Sequence, residues 1–277
     1  MPAPLLWSAT GHAVLAVACA LALLRRRPPI MGVHPALKPL RFAVSIALFL
    51  ATMGLVLPRL SVAPAVRALL AWLFASTMVV EMAIIAAQAL GGTTSHFNVS
   101  GARNATRWTL MVGAIVAATV GLLAVATLAS ALPLVELDGR ELEGSMAWAW
   151  RAGLWLLALS PVSGFAMGSR MRHSVGGDDG GPGLPVVSWS VEHGDLRVAH
   201  FFSLHAVQVL PALAWCASRL GLPMPVRTAV VLGAAAVLAV ACVGTLLQAF
   251  AGRPLVRGRS RQREGSDARL RAATSTR

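Results

Sequence analysis

Seven apolar runs, each near the length a helix needs to cross a bilayer, leave this chain few ways to fold. They cover roughly 4–24, 42–57, 69–90, 108–132, 146–168, 198–218 and 228–251. A hydrocarbon core of about 30 Å takes roughly 20 predominantly apolar helical residues. The run at 42–57 is the shortest, and flanking residues or local thinning of the bilayer complete such a span. A closed β-barrel also satisfies its backbone inside lipid, but barrel strands alternate apolar and polar residues where these runs are continuous. The sequence therefore predicts an all-α fold, a polytopic transmembrane helix bundle. Hydrophobic residues are 56% of the 277, more apolar surface than a soluble domain of this size can hide.

Residues 1–252 read as the seven-helix transmembrane domain, and 253–277 as a basic tail. Basic residues accumulate on the cytoplasmic side of short loops. With the N-terminus outside and the C-terminus in the cytoplasm, 18 of the 24 lysines and arginines fall inside and 6 outside. The first run has no basic residues ahead of it and Arg25, Arg26 and Arg27 directly behind it, so it reads as an uncleaved anchor. The tail is polar and aperiodic, which predicts disorder and contact with anionic lipid headgroups, so the expected partner is the lipid bilayer. A net charge of +13 could point to nucleic acid. The basic residues, however, carry no aromatic platform or recognised binding motif, and no nucleic-acid partner is expected.

Several common chemistries find no footing. Cys19, Cys216 and Cys242 all lie in apolar runs and read as small packing residues, with no CxxC or zinc spacing. There is no phosphate loop, nucleophile elbow or HExxH motif. The sequons at Asn98 and Asn104 fall in a loop predicted to be cytoplasmic and should stay unmodified. In the glycine-rich 176–183 segment, Asp178 and Asp179 with His173 or His193 could hold a cation. Their spacing matches no metal loop, and a flexible solvated turn is the better reading.

Polar residues concentrate on the side predicted to be cytoplasmic. The connections there are MGVHPALKPLR (31–41), GGTTSHFNVSGARNATR (91–107) and the long 169–197 segment, while the outside ones are short or simply acidic. They carry the candidates His34, Lys38, His96, Asn98, Asp179, Asp195 and Arg197, with His200 just beside the last of them. Lys38 is the one lysine against 23 arginines. Asp195 also fits the N-cap of the following helix.

Within the apolar runs the outlier is Glu81. It lies nine residues from Leu90, roughly 14 Å deep at 1.5 Å per residue. The same rise puts His205 roughly 10 Å and Gln208 roughly 15 Å deep in the sixth run, so Glu81, His205 and Gln208 can form an intramembrane polar cluster. His200, His205 and Gln208 fall within an arc of about 140°. Pro211 frees a carbonyl one turn earlier, near Val207, where a kink or a bound water fits. His12, isolated in the first run, reads as a packing group.

Three strings, HPALKPLRFAVS at 34–45, Glu81 followed by QALGGTTSHFN up to Asn98, and DGGPGLPVVSWSVEHGDLRVAHFFSLHAVQ at 179–208, resemble a family of uncharacterised bacterial multi-pass integral membrane proteins. They cover about a third of the chain. The resemblance implies a membrane protein, expected in the bacterial inner membrane, with a shared set of cytoplasmic-side motifs, and it implies no chemistry.

Function is open between classes. In one reading His96, His200 or His205 from different helices ligate a haem or a metal ion, as in a redox or cofactor-handling component. In another, Glu81 and His205 are a protonatable pair along a substrate path gated by the glycine-rich loop, as in a small proton-coupled transporter or a membrane sensor. In a third, the polar groups are interhelical glue in a structural or assembly protein without chemistry. Whether the chain is an enzyme is not decided by any of these features.

Overall fold

The computed structural model describes residues 1–258, and the remainder of the predicted basic tail lies outside them. The helices are α1 (Ala3–Ala22), α2 (Leu37–Val56), α3 (Pro64–Leu90), α4 (Ala102–Ala131), α5 (Gly144–Ala158), α6 (Ser160–Arg170), α7 (Leu196–Arg219) and α8 (Met224–Phe250). A 3-10 turn, Leu57–Arg59, prolongs α2. The strands β1 (Ser174–Val175) and β2 (Gly194–Asp195) pair antiparallel, Ser174 opposite Asp195. Among the described residues seven helical segments are long and apolar enough to cross a membrane, with α5 and α6 together making the fifth.

The helices outrun the apolar runs where their first turns are polar. α2 begins at Leu37 and α4 at Ala102, five and six residues before the apolar runs begin. Lys38, Arg41, Arg103 and Arg107 are thus helix residues, not loop residues. The fifth span is broken for a different reason. Pro161, at the second position of α6, has no N–H to return to the last turn of α5, and the chain closes with the tighter bonds Leu159 N to Leu156 O and Val162 N to Leu159 O, both 3.1 Å. Pro211 is carried inside α7 without ending it.

Two apolar cores hold the bundle. The larger joins α1 to α5 around Phe74, Leu50, Met53 and Leu154, and the smaller joins α5, α7 and α8 around Leu210 and Val231. α5 meets α7 at Gly153, where a Cβ would lie 2.7 Å from Val207 Cα and 3.3 Å from Ala206 O. α8 presents Val237, Val240, Val243 and Leu247 outward, as a helix apolar on every side does when lipid is its solvent.

The ends of the bundle differ. At one, Val135 N donates to Arg59 O at 3.0 Å, and Arg227 pairs with Glu143 at 2.6 Å. At the other lie the 23–36, 91–101 and 171–195 connections together with the chain after α8. The 171–195 connection, predicted as a flexible turn in its glycine-rich part, is tied down along its length. It carries β1 and β2 and a bridge between Gly183 and Ser190, and its Val191 carbonyl accepts from Gly258 N at 3.0 Å. At Gly194 a Cβ would stand 2.0 Å from Ala249 O, so the end of α8 sits directly on this connection.

Replacing Gly153 by leucine should force α5 from α7 and lower stability by about 1–3 kcal/mol, read as a lower thermal midpoint in detergent. Gly113→Ala, where nothing lies within 4 Å, should leave the midpoint unchanged or slightly raised.

Candidate functional site

The buried stripe of α3 reads Phe74, Thr77, Met78, Glu81, Ile85 and Gln88, the spacing of one helix face. Glu81 is therefore held in the interior of the bundle by its own helix, 2% exposed. One carboxyl oxygen, Oε1, lies 3.4 Å from His96 Nε2, and the other, Oε2, is buried with no hydrogen-bond partner.

His96 reaches Glu81 because the 91–101 connection folds back over the end of α3. Thr93 N donates to Gln88 O at 3.0 Å. Asn98 then works as a brace: its amide donates to Thr93 Oγ1 at 2.9 Å and Thr94 O at 3.0 Å, while its carbonyl accepts from Ser100 N at 3.1 Å and Ser100 Oγ at 2.6 Å. The imidazole is walled by Phe42 at 5.1 Å and by Phe97 and Trp108, each at 5.9 Å. Burial drives its proton affinity well below that of an ordinary histidine, and the charges of Lys38 and His200 act in the same direction. The neutral ring fits one tautomer, assigned from its neighbours: the Nε2–H side faces Glu81, and Nδ1 accepts from Ser95 Oγ at 3.1 Å.

Lys38, on the first turn of α2, has its ammonium 5.9 Å above Phe42 and within electrostatic reach of Glu81, Arg197 and Asp179. The three quoted strings thus meet in one place, through Lys38, through Glu81 and His96, and through Asp179 and Arg197. The cluster of Glu81, His205 and Gln208 takes a different form. The Gln208 carboxamide meets Thr52 Oγ1 of α2 at 3.0 Å in either amide orientation, and Thr52 Oγ1 donates to Leu48 O at 2.7 Å. His205 lies against the Phe201 ring at 4.5 Å, and Glu81 is paired with His96 instead.

The remaining candidates hold backbone. His34 Nε2 donates to Arg25 O at 2.9 Å while its Nδ1 accepts from Ala36 N at 3.1 Å, which closes the turn before α2. His200 Nδ1 donates to Ser160 O at 2.9 Å and joins α7 to α6. Asp195 is the N-cap of α7, accepting from Arg197 N at 3.0 Å and Ser190 N at 2.9 Å. Burial pushes its carboxyl up, but the bonds from Arg197 outweigh that and hold it below the usual carboxylate range. Asp179 accepts from His173 N at 3.1 Å and Ser174 N at 2.9 Å, with His173 Nδ1 3.2 Å away. Among the described residues no three His, Cys, Asp or Glu side chains gather so that they could hold a metal ion.

Sequence reasoning passed over Thr52, Ser95, Ser188 and Gln88. Gln88 had a signal, since it lies seven residues from Glu81 on the same face, and it bonds Asn104 at 3.0 Å and Arg107 at 2.6 Å. The hydroxyls had none, because serine and threonine are common in apolar helices. Comparison with protein-family models, with curated proteins and with solved structures finds no match to this chain.

Desolvation and the Arg197 charge lower His173 to about 4 from an ordinary 6.5, against the opposing charge of Asp179. Between those values the unfolded chain binds the extra proton, so stability falls as pH drops through this window. The thermal midpoint in detergent should decline on acidification, and His173→Gln should remove ~1–3 kcal/mol of that decline. An equal decline in the variant would overturn the assignment.

Proposed function

We propose that this chain is a multi-pass protein of a cell membrane, the bacterial inner membrane, and that Glu81 and His96 form its protonatable site, as in a small proton-coupled transporter or a membrane sensor. The observation that carries the reading is the Glu81 carboxyl, 2% exposed among apolar helices, with one oxygen facing His96 and the other unpartnered. Intramembrane ionisable groups mark ion paths and proton relays. Interhelical glue is favoured by full hydrogen bonding, and an orphaned oxygen speaks for a group that binds and releases a proton.

The basic residues support placing the loop-rich end in the cytoplasm and the N-terminus outside, since 18 of 24 lie on that side. The same asymmetry supports contact of the basic tail with anionic headgroups. The meeting of the three quoted strings at this site supports reading them as the mark of one bacterial membrane family. A haem or metal bound by His96, His200 and His205 draws less support. Both His96 nitrogens face partners, Glu81 and Ser95, and His200 Nδ1 is spent on Ser160 O.

Infrared difference spectra recorded across an acid titration in detergent test the reading. A protonated-carboxyl band should grow on acidification, vanish in Glu81→Gln, and shift in pH in His96→Ala. A band unchanged in Glu81→Gln would overturn it.

A further inference from the structure

At the loop-rich end α2 contributes Lys38 and Arg41, one turn apart, and α7 contributes Arg197, within electrostatic reach of both. Arg41 and Arg197 close on one residue, Ser188. Arg41 Nη2 donates to its hydroxyl at 2.9 Å, and Arg197 Nη2 donates to its carbonyl. Of the three cations only Arg197 is in ion-pair contact with a carboxylate among the described residues, Asp195 at 2.6 Å. Arg41 Nε is buried without an acceptor. The Lys38 ammonium makes no hydrogen bond and no ion pair among the described residues, its nearest recorded feature being the Phe42 ring. Arg59 and Arg227 also leave Nε unbonded, but each guanidinium lies on a carboxylate, Glu136 or Glu143.

Gathering three like charges with spare, partly desolvated donors is unfavourable unless an anion joins them. A guanidinium offers paired donors to an oxyanion and an ammonium adds a compact charge, the combination suited to phosphate. In a chain that uses arginine at every other basic position, Lys38 supplies the smaller, more readily redirected head.

We propose that Lys38, Arg41 and Arg197, with the Ser188 hydroxyl, bind a phosphate-type oxyanion, and that Lys38 links this site to Glu81. The link, though not the anion site, rests on reading Glu81 as protonatable. With Glu81 ionised, the Lys38 charge is balanced by the carboxylate. Once a proton from water neutralises Glu81, the ammonium is uncompensated and turns to the anion. One proton and one negative charge therefore enter together, and the substrate class is an oxyanion accompanied by a proton. The other groups facing Lys38 and Glu81 do not replace this exchange. Asp179 is committed to His173 N and Ser174 N, and His96 and His200 are held by Ser95 and Ser160.

Calorimetric titration of the full chain in mild detergent tests both parts. The probes are inorganic phosphate and, separately, dihexanoyl phosphatidylglycerol, each in two buffers of different protonation enthalpy. Saturable binding of either probe should weaken at least tenfold in Lys38→Gln and in Arg41→Gln, and stay within a few-fold of native in Lys38→Arg and in Arg140→Gln at the far end. Tighter binding of the lipid makes the ligand a headgroup, and tighter binding of inorganic phosphate makes it a soluble oxyanion. Both support the site. Binding should bring net proton uptake that disappears in Glu81→Gln while the anion still binds. Saturable binding without proton uptake would overturn the link and leave the anion site standing. No saturable binding of either probe to the native chain would overturn the site itself and leave the Glu81 reading to its infrared test.

Discussion

Hydrocarbon offers a peptide group no hydrogen bond, and that constraint underlies the helical spans on which the rest of the structure is built. It makes the spans helical, because a helix satisfies its own backbone. It also turns each departure from regular helix into a local problem with a local remedy. At Pro161 the remedy is a tighter turn that splits the fifth span into α5 and α6. At the end of α3 it is the side chain of Asn98, which bonds the backbone of a connection that has no helix to bond it. The same rule applied to side chains gives Glu81 its meaning, since a carboxyl oxygen without a partner is tolerated there only against a penalty of about 1–3 kcal/mol or more.

The helical architecture was plain in the sequence because it rests on composition summed over long windows, where single residues matter little. Every predicted span falls on helical structure, with the fifth broken at Leu159 into two helices; elsewhere the differences are at the ends, where Lys38 and Arg41 look like loop residues to a hydropathy window yet form the first turns of α2. Depth along a helix was also legible, since rise per residue is fixed, and it correctly singled out Glu81 as buried. Rotation about the bundle was not. Which neighbour a buried carboxyl meets depends on how helices are arranged around one another, and that is decided by contacts such as Gly153 against Val207, which no single run encodes. Depth put Glu81, His205 and Gln208 on one predicted level, and the Gln208 carboxamide meets α2 at Thr52. His96, read as a cytoplasmic-side candidate and possible haem or metal ligand on a connection, reaches Glu81 because Asn98 and Thr93 bend that connection back.

The loop-rich end shows how a few charges organise a long irregular segment. Asp179 collects the backbone N–H groups of His173 and Ser174 at the start of β1, and Asp195, the last residue of β2, collects that of Ser190. Glycine-rich composition suggested freedom, because glycine widens the choice of backbone conformation. Here it serves close approach instead. At Gly194 the neighbouring backbone of Ala249 occupies the space a side chain would need.

That contact bears on the order in which the molecule is assembled. The 171–195 connection is held from one side by α2, through Arg41 and Ser188, and from the other by the end of α8, through Ala249, and the chain after it, through Gly258. A ribosome delivers α2 well before α8. Until α8 has been made and has inserted, the connection lacks the wall that α8 supplies. The earlier helices can be in place and packed while the polar end is still open, so a chain truncated within α8 would have most of its spans and lack the floor on which this end is built.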